Sequence, residues 1–229
     1  MNIDDIKKEV EAPDGPIILT IFNLQLELMK KYDEIEKRNG FQVPSSPYHI
    51  DNNQVQARIK DLFWRATEEL AEALETTPSL VALKNWSVEW DKDSKIRHFF
   101  EEIADAVHFL VEASLVGGGQ FFAEGMVPFM DNRLPVIKKP PFNCPSYNHL
   151  DLLAWKIVYH MGLAANCLKN KPWKVTQMST DSQQFRLALL NSWEAFCQLW
   201  KSFGGSQEEL YILYAKKNLV NQWRQETNY

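Results

Sequence analysis

The sequence predicts an all-α fold. Apolar residues recur at i, i+3 and i+4 through successive stretches long enough for several helical turns. Gly, Pro and Asn clusters separate these stretches where helices would stop. No run shows the strict apolar/polar alternation of a half-buried strand, and no internal repeat is present.

Residues 1–15 are charged, carry Pro13 and Gly15, and read as a lead-in. Pro16 to Arg38 predicts a first helix, with Ile18, Ile21, Phe22, Gln25, Leu28, Met29 and Tyr32 on one face and Asn39-Gly40 as its stop. The Pro44 to Asn53 stretch reads as a loop. A second helix is predicted from about Asn53 to Thr76, with Pro78 marking its break. A third runs from about Ser94 to Val116, and Gly117-Gly118-Gly119 stops it. Between 120 and 150, Pro128, Pro135, Pro140, Pro141 and Pro145 argue against a long regular helix. Leu150–Leu168 and Ser182–Phe203 are again helical, the latter with Trp193, Phe196, Cys197 and Trp200 on an apolar stripe. Gly204-Gly205 breaks the chain, and Ser206-Gln207-Glu208-Glu209 opens a last helix with a capping signal.

A chain of 229 residues with 45% hydrophobic residues fits one domain, or one domain with a sizeable insertion. Its net charge of −5 argues against a general nucleic-acid binder. The three cysteines, Cys144, Cys167 and Cys197, lack metal-type spacing and suit a reducing cytosol. No apolar run is long enough to span a bilayer.

The strongest chemical signal is a pair of acidic spacings on the second and third helices, Glu68-Glu69-Leu70-Ala71-Glu72 and Glu101-Glu102-Ile103-Ala104-Asp105. In each, carboxylates at i and i+3 share a helix face. Antiparallel packing would gather Glu69, Glu72, Glu102 and Asp105, a cluster that like-charge repulsion penalises without a cation. Mg2+ suits such oxygen ligands and keeps room for substrate phosphates. Glu68 points about 100° away from Glu69. His108, one turn after Asp105 on roughly the same face, reads first as a structural residue.

The last helix carries Lys217, Asn221 and Arg224 at i, i+4 and i+7. Lys offers a point charge to a phosphate and Arg a bidentate fork. A solvated helix end with favourable dipole interactions would show the same residues. The nearby acidic pairs favour phosphate chemistry, which needs metal ligands and cationic clamps together.

These motifs together resemble a known family. Glu68-Glu69-x-x-Glu72 followed by Glu102-x-x-Asp105 is similar to the metal signature of the all-α nucleoside triphosphate pyrophosphatases. Ala104-Asp105-Ala106-Val107-His108-Phe109-Leu110 resembles the matching helix of the dimeric dUTPases. Tyr214-x-x-Lys217-Asn218-x-x-Asn221-x-x-Arg224-Gln225-x-x-x-Tyr229 resembles the closing motif of dimeric dUTPases and phage dCTPase-dUTPases, with Asn228-Tyr229 where those proteins commonly end in Gly-Tyr. Leu24-Gln25-Leu26-Glu27-Leu28 resembles the family's first helix, and Lys84-Asn85-Trp86-Ser87 its Lys-x-Trp-Ser element. The family often has an Asn shortly after that Gln; Leu28 and Met29 stand there instead.

The resemblance implies a helical bundle with a helical insertion before the last helix. Residues 1–119 would be the core with the metal motifs. Residues 120–205 would be a partly helical insertion of the kind that is mobile in some dimeric dUTPases. Residues 206–229 would complete the active site. It implies Mg2+-dependent hydrolysis of a pyrimidine deoxynucleoside triphosphate, dUTP first, to the monophosphate and pyrophosphate. Two or three Mg2+ ions would sit on Glu69, Glu72, Glu102 and Asp105, and Glu69 would position or deprotonate the water. Lys217, Asn221 and Arg224, with Lys84 and Lys174, would hold phosphates and sugar, and Gln25 and Trp86 the base. Trp86 reads equally well as a core residue. The implied protein is a cytoplasmic homodimer of a bacterial or phage-infected cell, with neither nucleic acid nor membrane as partner. Two other readings stay open at this level. One is a dCTP pyrophosphatase of a phage with modified DNA; the other is a non-catalytic helical binding or regulatory protein.

Overall fold

The computed structural model describes residues 10–81, 94–136, 147–171 and 173–227. These residues form α1 (Ile17–Arg38), α2 (Asn53–Val81), α3 (Ser94–Asp131), α4 (Tyr147–Cys167), α5 (Ser182–Ser202) and α6 (Gln207–Thr227), with no strand among them. The all-α expectation holds.

Local chemistry sets the helix starts. Pro16 precedes α1 and its carbonyl accepts from Thr20 N. The Asn52 side chain caps α2 by accepting from Gln54 N and Val55 N. Asp181 does the same for α5 through Gln184 N. Ser206 and Glu209 form a reciprocal capping box at α6: Glu209 accepts from Ser206 N at 3.0 Å, and Ser206 Oγ accepts from Glu209 N at 3.2 Å.

Two helices run further than the sequence predicts. α2 continues through Pro78 to Val81. α3 passes Gly117 and Gly118 and breaks only at Gly119, whose φ of 66° lies in the left-handed region open to glycine. It then resumes to Asp131 with Pro128 inside it. Pro128 removes one N–H donor, but it and Glu124 are both exposed, so water can satisfy the carbonyl that loses its partner. Gly117 has a packing role: a Cβ there would lie 2.6 Å from the Phe185 ring, so its bareness lets α5 approach α3.

The pairing of side chains fixes helix directions. Arg58 meets Glu112 while Glu69 and Glu72 meet Glu102, so α2 and α3 run antiparallel. Asp105 meets Lys217 and His108 stacks on Tyr214, so α6 is also antiparallel to α3. α1 lies against α3 and α6, and α4 pairs with α5 and rests on α2. One apolar cluster joins these helices, from Ile18, Ile21 and Phe22 through Ile59, Val107 and Leu110 to Met161, Phe185, Trp193 and Tyr214. Each large side chain so buried contributes about 1.5–3 kcal/mol. The α3 segment carrying Glu102, Asp105, His108 and Glu112 is therefore held between α2 on one side and α1 with α6 on the other.

Candidate active site

The acidic pairs converge as antiparallel packing requires. Carboxylate oxygens of Glu69, Glu72 and Glu102 all lie within 4.8 Å of one another. Burial raises the Glu69 carboxyl first, a hydrogen bond with Glu102 next, and the charges of Asp105, Glu102 and Glu72 add to it, so that it is pushed up to about 8. Glu102 also meets His98 Nδ1 at 2.9 Å. Three carboxylates this close, one of them holding its proton, are a donor set that fits a hard divalent cation.

Asp105 sits one turn from Glu102 but is engaged elsewhere. Its Oδ2 accepts from Lys217 Nζ at 2.6 Å. Burial pushes the Asp105 carboxyl up, and Lys217 opposes that. The two sequence motifs, acidic and basic, therefore meet at this ion pair.

Beside Asp105 lies a cavity of about 290 Å3, lined from α1 by Gln25, Leu28, Tyr32 and Glu36, and from α2 by Arg58, Asp61, Leu62 and Arg65. α3 contributes Asp105, His108, Phe109 and Glu112, and α6 contributes Asn221. A buried hydrogen-bond chain runs through its wall. Tyr214 OH donates to Gln25 Oε1, and Gln25 Nε2 donates to Glu112 Oε2 at 3.2 Å. Glu112 Oε1 accepts from Arg58 at 2.9 Å, and Arg58 also donates to both oxygens of Glu36 at 2.8 Å. Glu112 is 4% exposed, and the guanidinium beside it compensates its charge. His108 is equally buried; burial pushes its ring down to about 4, so it is neutral near pH 7.

Glu69, Glu72, Glu102, Asp105, Lys217, Asn221 and Gln25 are thus brought to one region. Arg224 lies on the exposed part of α6 and acts on Asp105 and Tyr32 electrostatically. Lys174 is placed elsewhere. It is exposed and belongs with Lys169 and Lys171 around Lys60, on a different face of α2 from Arg58 and Arg65. Lys84 and Trp86 lie outside the described residues.

Sequence reasoning missed the cavity walls, although a signal was present. Arg58, Asp61, Arg65, Glu69 and Glu72 recur at i+3 and i+4 along α2. Glu102, Asp105, His108, Phe109 and Glu112 do so along α3. The cavity is the same pair of helix faces as the acidic cluster, continued toward Glu112.

A family model described as dUTPase matches residues 46–229. That span includes both acidic motifs, the cavity walls of α2 and α3, and the closing motif; Gln25 and the rest of α1 precede it. The chain belongs to this dUTPase family, of the all-α nucleoside triphosphate pyrophosphatase type. Membership supports nucleotide pyrophosphatase-type hydrolysis in general, and members typically use metal ions, which the acidic cluster could hold. No curated protein and no solved structure matches the chain.

Proposed function

We propose that the protein hydrolyses a pyrimidine deoxynucleoside triphosphate, dUTP first, to the monophosphate and pyrophosphate in a Mg2+-dependent reaction. The observation that carries this reading is the convergence on Asp105. That residue lines the cavity, lies one turn from the acidic cluster, and pairs with the first cation of the α6 face.

The division of labour follows from size and charge. A cavity of about 290 Å3 is at the lower end of small-molecule pockets, roughly 300–1,000 Å3, so it suits the base and sugar. The triphosphate then lies outside it, between the carboxylates and α6. Glu69, Glu72 and Glu102, with Asp105 one turn away, would hold Mg2+. When bound, the ions neutralise phosphate charge and make water a better nucleophile. Glu69 would give up its own proton when a cation binds beside it, and the carboxylate so formed would position the attacking water and take its proton. Water oxygen bonds to the α-phosphorus, the bond to the bridging oxygen breaks, and pyrophosphate leaves. Lys217 exchanges Asp105 for a phosphate oxygen, Arg224 clamps another, and Asn221 reaches the sugar. Such preorganised charges are worth more in a site shielded from water.

A homodimer in the cytoplasm is part of the same proposal. Leu152, Trp155, Tyr159 and Leu163 form an exposed apolar stripe on α4, opposite its core face, and Trp64 on α2 is also exposed. Stripes of this kind mark association surfaces. None of the described helices is long and apolar enough to cross a membrane.

The test is pyrophosphate release with Mg2+ from dUTP, dCTP, dTTP, dATP, dGTP and UTP. The reading expects release from dUTP above all, and release from none of them would end it.

A further inference from the structure

Lysines gather where α4 ends against α2. Lys60 Nζ donates to Leu168 O at 2.6 Å, just past the end of α4. Lys171 lies within hydrogen-bonding reach of Lys60, and Lys169 and Lys174 are near enough for their charges to act on it. Burial pushes the Lys60 ammonium down first, and Lys171, Lys169 and Lys174 push it further, to about 8. None of these lysines pairs with a carboxylate among the described residues. Like charges gathered around a partly buried cation repel one another, the mirror image of the Glu69 cluster. At about 100° per residue, Lys60 and Glu69 fall on opposite sides of α2, so the two clusters are separate.

The fold holds this group in place with buried amides. Asn170 N donates to Gln56 Oε1 at 2.8 Å. The Asn170 side chain donates to Asp51 O and Met178 O and accepts from Met178 N. Gln56 Nε2 donates in turn to Ile50 O and Thr180 Oγ1. Both side chains are buried, and together they pin the segment that carries Lys169, Lys171 and Lys174 to the start of α2. Lys174 N donates to Lys171 O at 3.0 Å, a turn that keeps these two lysines close in space. Trp173 stands between them in sequence. It is 76% exposed, and Lys171 Nζ lies 5.7 Å from its ring centroid. An indole left in water beside cations offers a face on which a base can stack.

We propose that Lys60, Lys169, Lys171 and Lys174 form a second, non-catalytic phosphate site, which takes the phosphate chain of a nucleotide while the base stacks on Trp173. A polyphosphate chain is the ligand that answers several ammonium groups at once, because it carries closely spaced negative charges. Lysine meets phosphate as a point charge and needs no fixed fork geometry, so a group of lysines on one short segment can follow such a chain. Stacking reads the π face that every base has, so the site takes purine and pyrimidine nucleotides alike. The inference is independent of the pyrophosphatase reading, since it uses neither the acidic cluster nor the cavity beside Asp105.

The experiment is calorimetric binding of dATP, inorganic triphosphate and deoxyadenosine to the full chain, in a phosphate-free buffer with no divalent metal added. Under those conditions the Glu69 cluster repels phosphates. The unaltered protein should bind dATP and inorganic triphosphate, dATP more tightly, and should leave deoxyadenosine unbound. The double variant Lys169→Gln, Lys171→Gln should bind both anions about tenfold or more weakly. Trp173→Ala should lose about fivefold or more for dATP and keep the affinity for inorganic triphosphate. If the unaltered protein binds neither anion, the proposal is overturned without any variant. Unchanged dATP binding by a folded double variant overturns it too, and assigns the phosphates to other cations. Equal binding of deoxyadenosine and dATP removes the role of the lysines, and unchanged dATP binding by Trp173→Ala removes that of the indole. An oligothymidylate single strand bound in preference to dATP would make this surface a single-strand site and overturn the nucleotide assignment.

Discussion

Lys217 Nζ lies 2.6 Å from Asp105 Oδ2, joining the closing motif of the chain to the second acidic motif. The pair is about four-fifths buried on each side, so both groups matter energetically. Asp105→Asn should abolish turnover while leaving the fold intact, because an amide is a poor ligand for Mg2+ in place of a carboxylate. Lys217→Met should keep metal binding and lose about ten- to a hundredfold in kcat/KM, the scale of one charge-assisted contact. Calorimetric Mg2+ titration beside steady-state kinetics checks both; near-normal turnover in Asp105→Asn contradicts the assignment.

Glu72→Gln should separate stability from activity. Glu72 shares its space with Glu69 and Glu102. Removing one charge from a repulsive cluster should raise the thermal midpoint of the metal-free protein, while turnover at saturating Mg2+ is lost. A lowered midpoint with retained turnover would place Glu72 among ordinary surface residues.

Arg224→Ala isolates the exposed arm of α6. Leu210, Leu213, Tyr214 and Val220 on that helix are core residues, so cutting the helix away would disturb the fold. Arg224 is exposed, and its loss should lower kcat/KM by roughly ten- to over a hundredfold with little change in the thermal midpoint. An unfolded variant whose folded fraction stays fully active would make the residue structural.

The pH dependence of stability should carry a His108 signature. Its folded value is about 4 against an ordinary 6.5, so between those values the unfolded chain binds a proton that the folded protein refuses. The stabilisation is fully present above about 6.5 and is lost as pH falls toward 4, roughly 3 kcal/mol over the whole window. His108→Gln should remove that slope. Urea midpoints of both proteins at about pH 7.5 and about pH 5 measure it, and parallel changes in the two proteins would contradict it.

Much of this architecture was legible in the sequence because it is local. Apolar spacing located the helices, and Ser206 with Glu209 announced the cap that α6 uses. The acidic spacings located Glu69, Glu72 and Glu102 as neighbours, since i, i+3 pairs on two helices need only antiparallel packing to meet. What was not legible depends on contacts between distant segments. α2 runs on past the break expected at Pro78, and α3 breaks within the expected Gly117-Gly118-Gly119, at Gly119, but then resumes to Asp131. The chain from Tyr214 through Gln25 and Glu112 to Arg58 joins four helices, and no spacing rule announces it. That His108 stacks on Tyr214 and borders the cavity depends on α1 and α6 packing against α3, which the spacing of α3 does not announce. Lys174, read as a phosphate ligand, lies with Lys169 and Lys171 around Lys60, apart from the cavity.

The central claim is tested most directly by the products formed from dUTP. Phosphorus NMR of the reaction with Mg2+ should show dUMP and pyrophosphate in equal amounts from the unaltered protein, and neither from Glu72→Gln. Release of orthophosphate with dUDP, or the same products at the same rate from Glu72→Gln, would contradict the account.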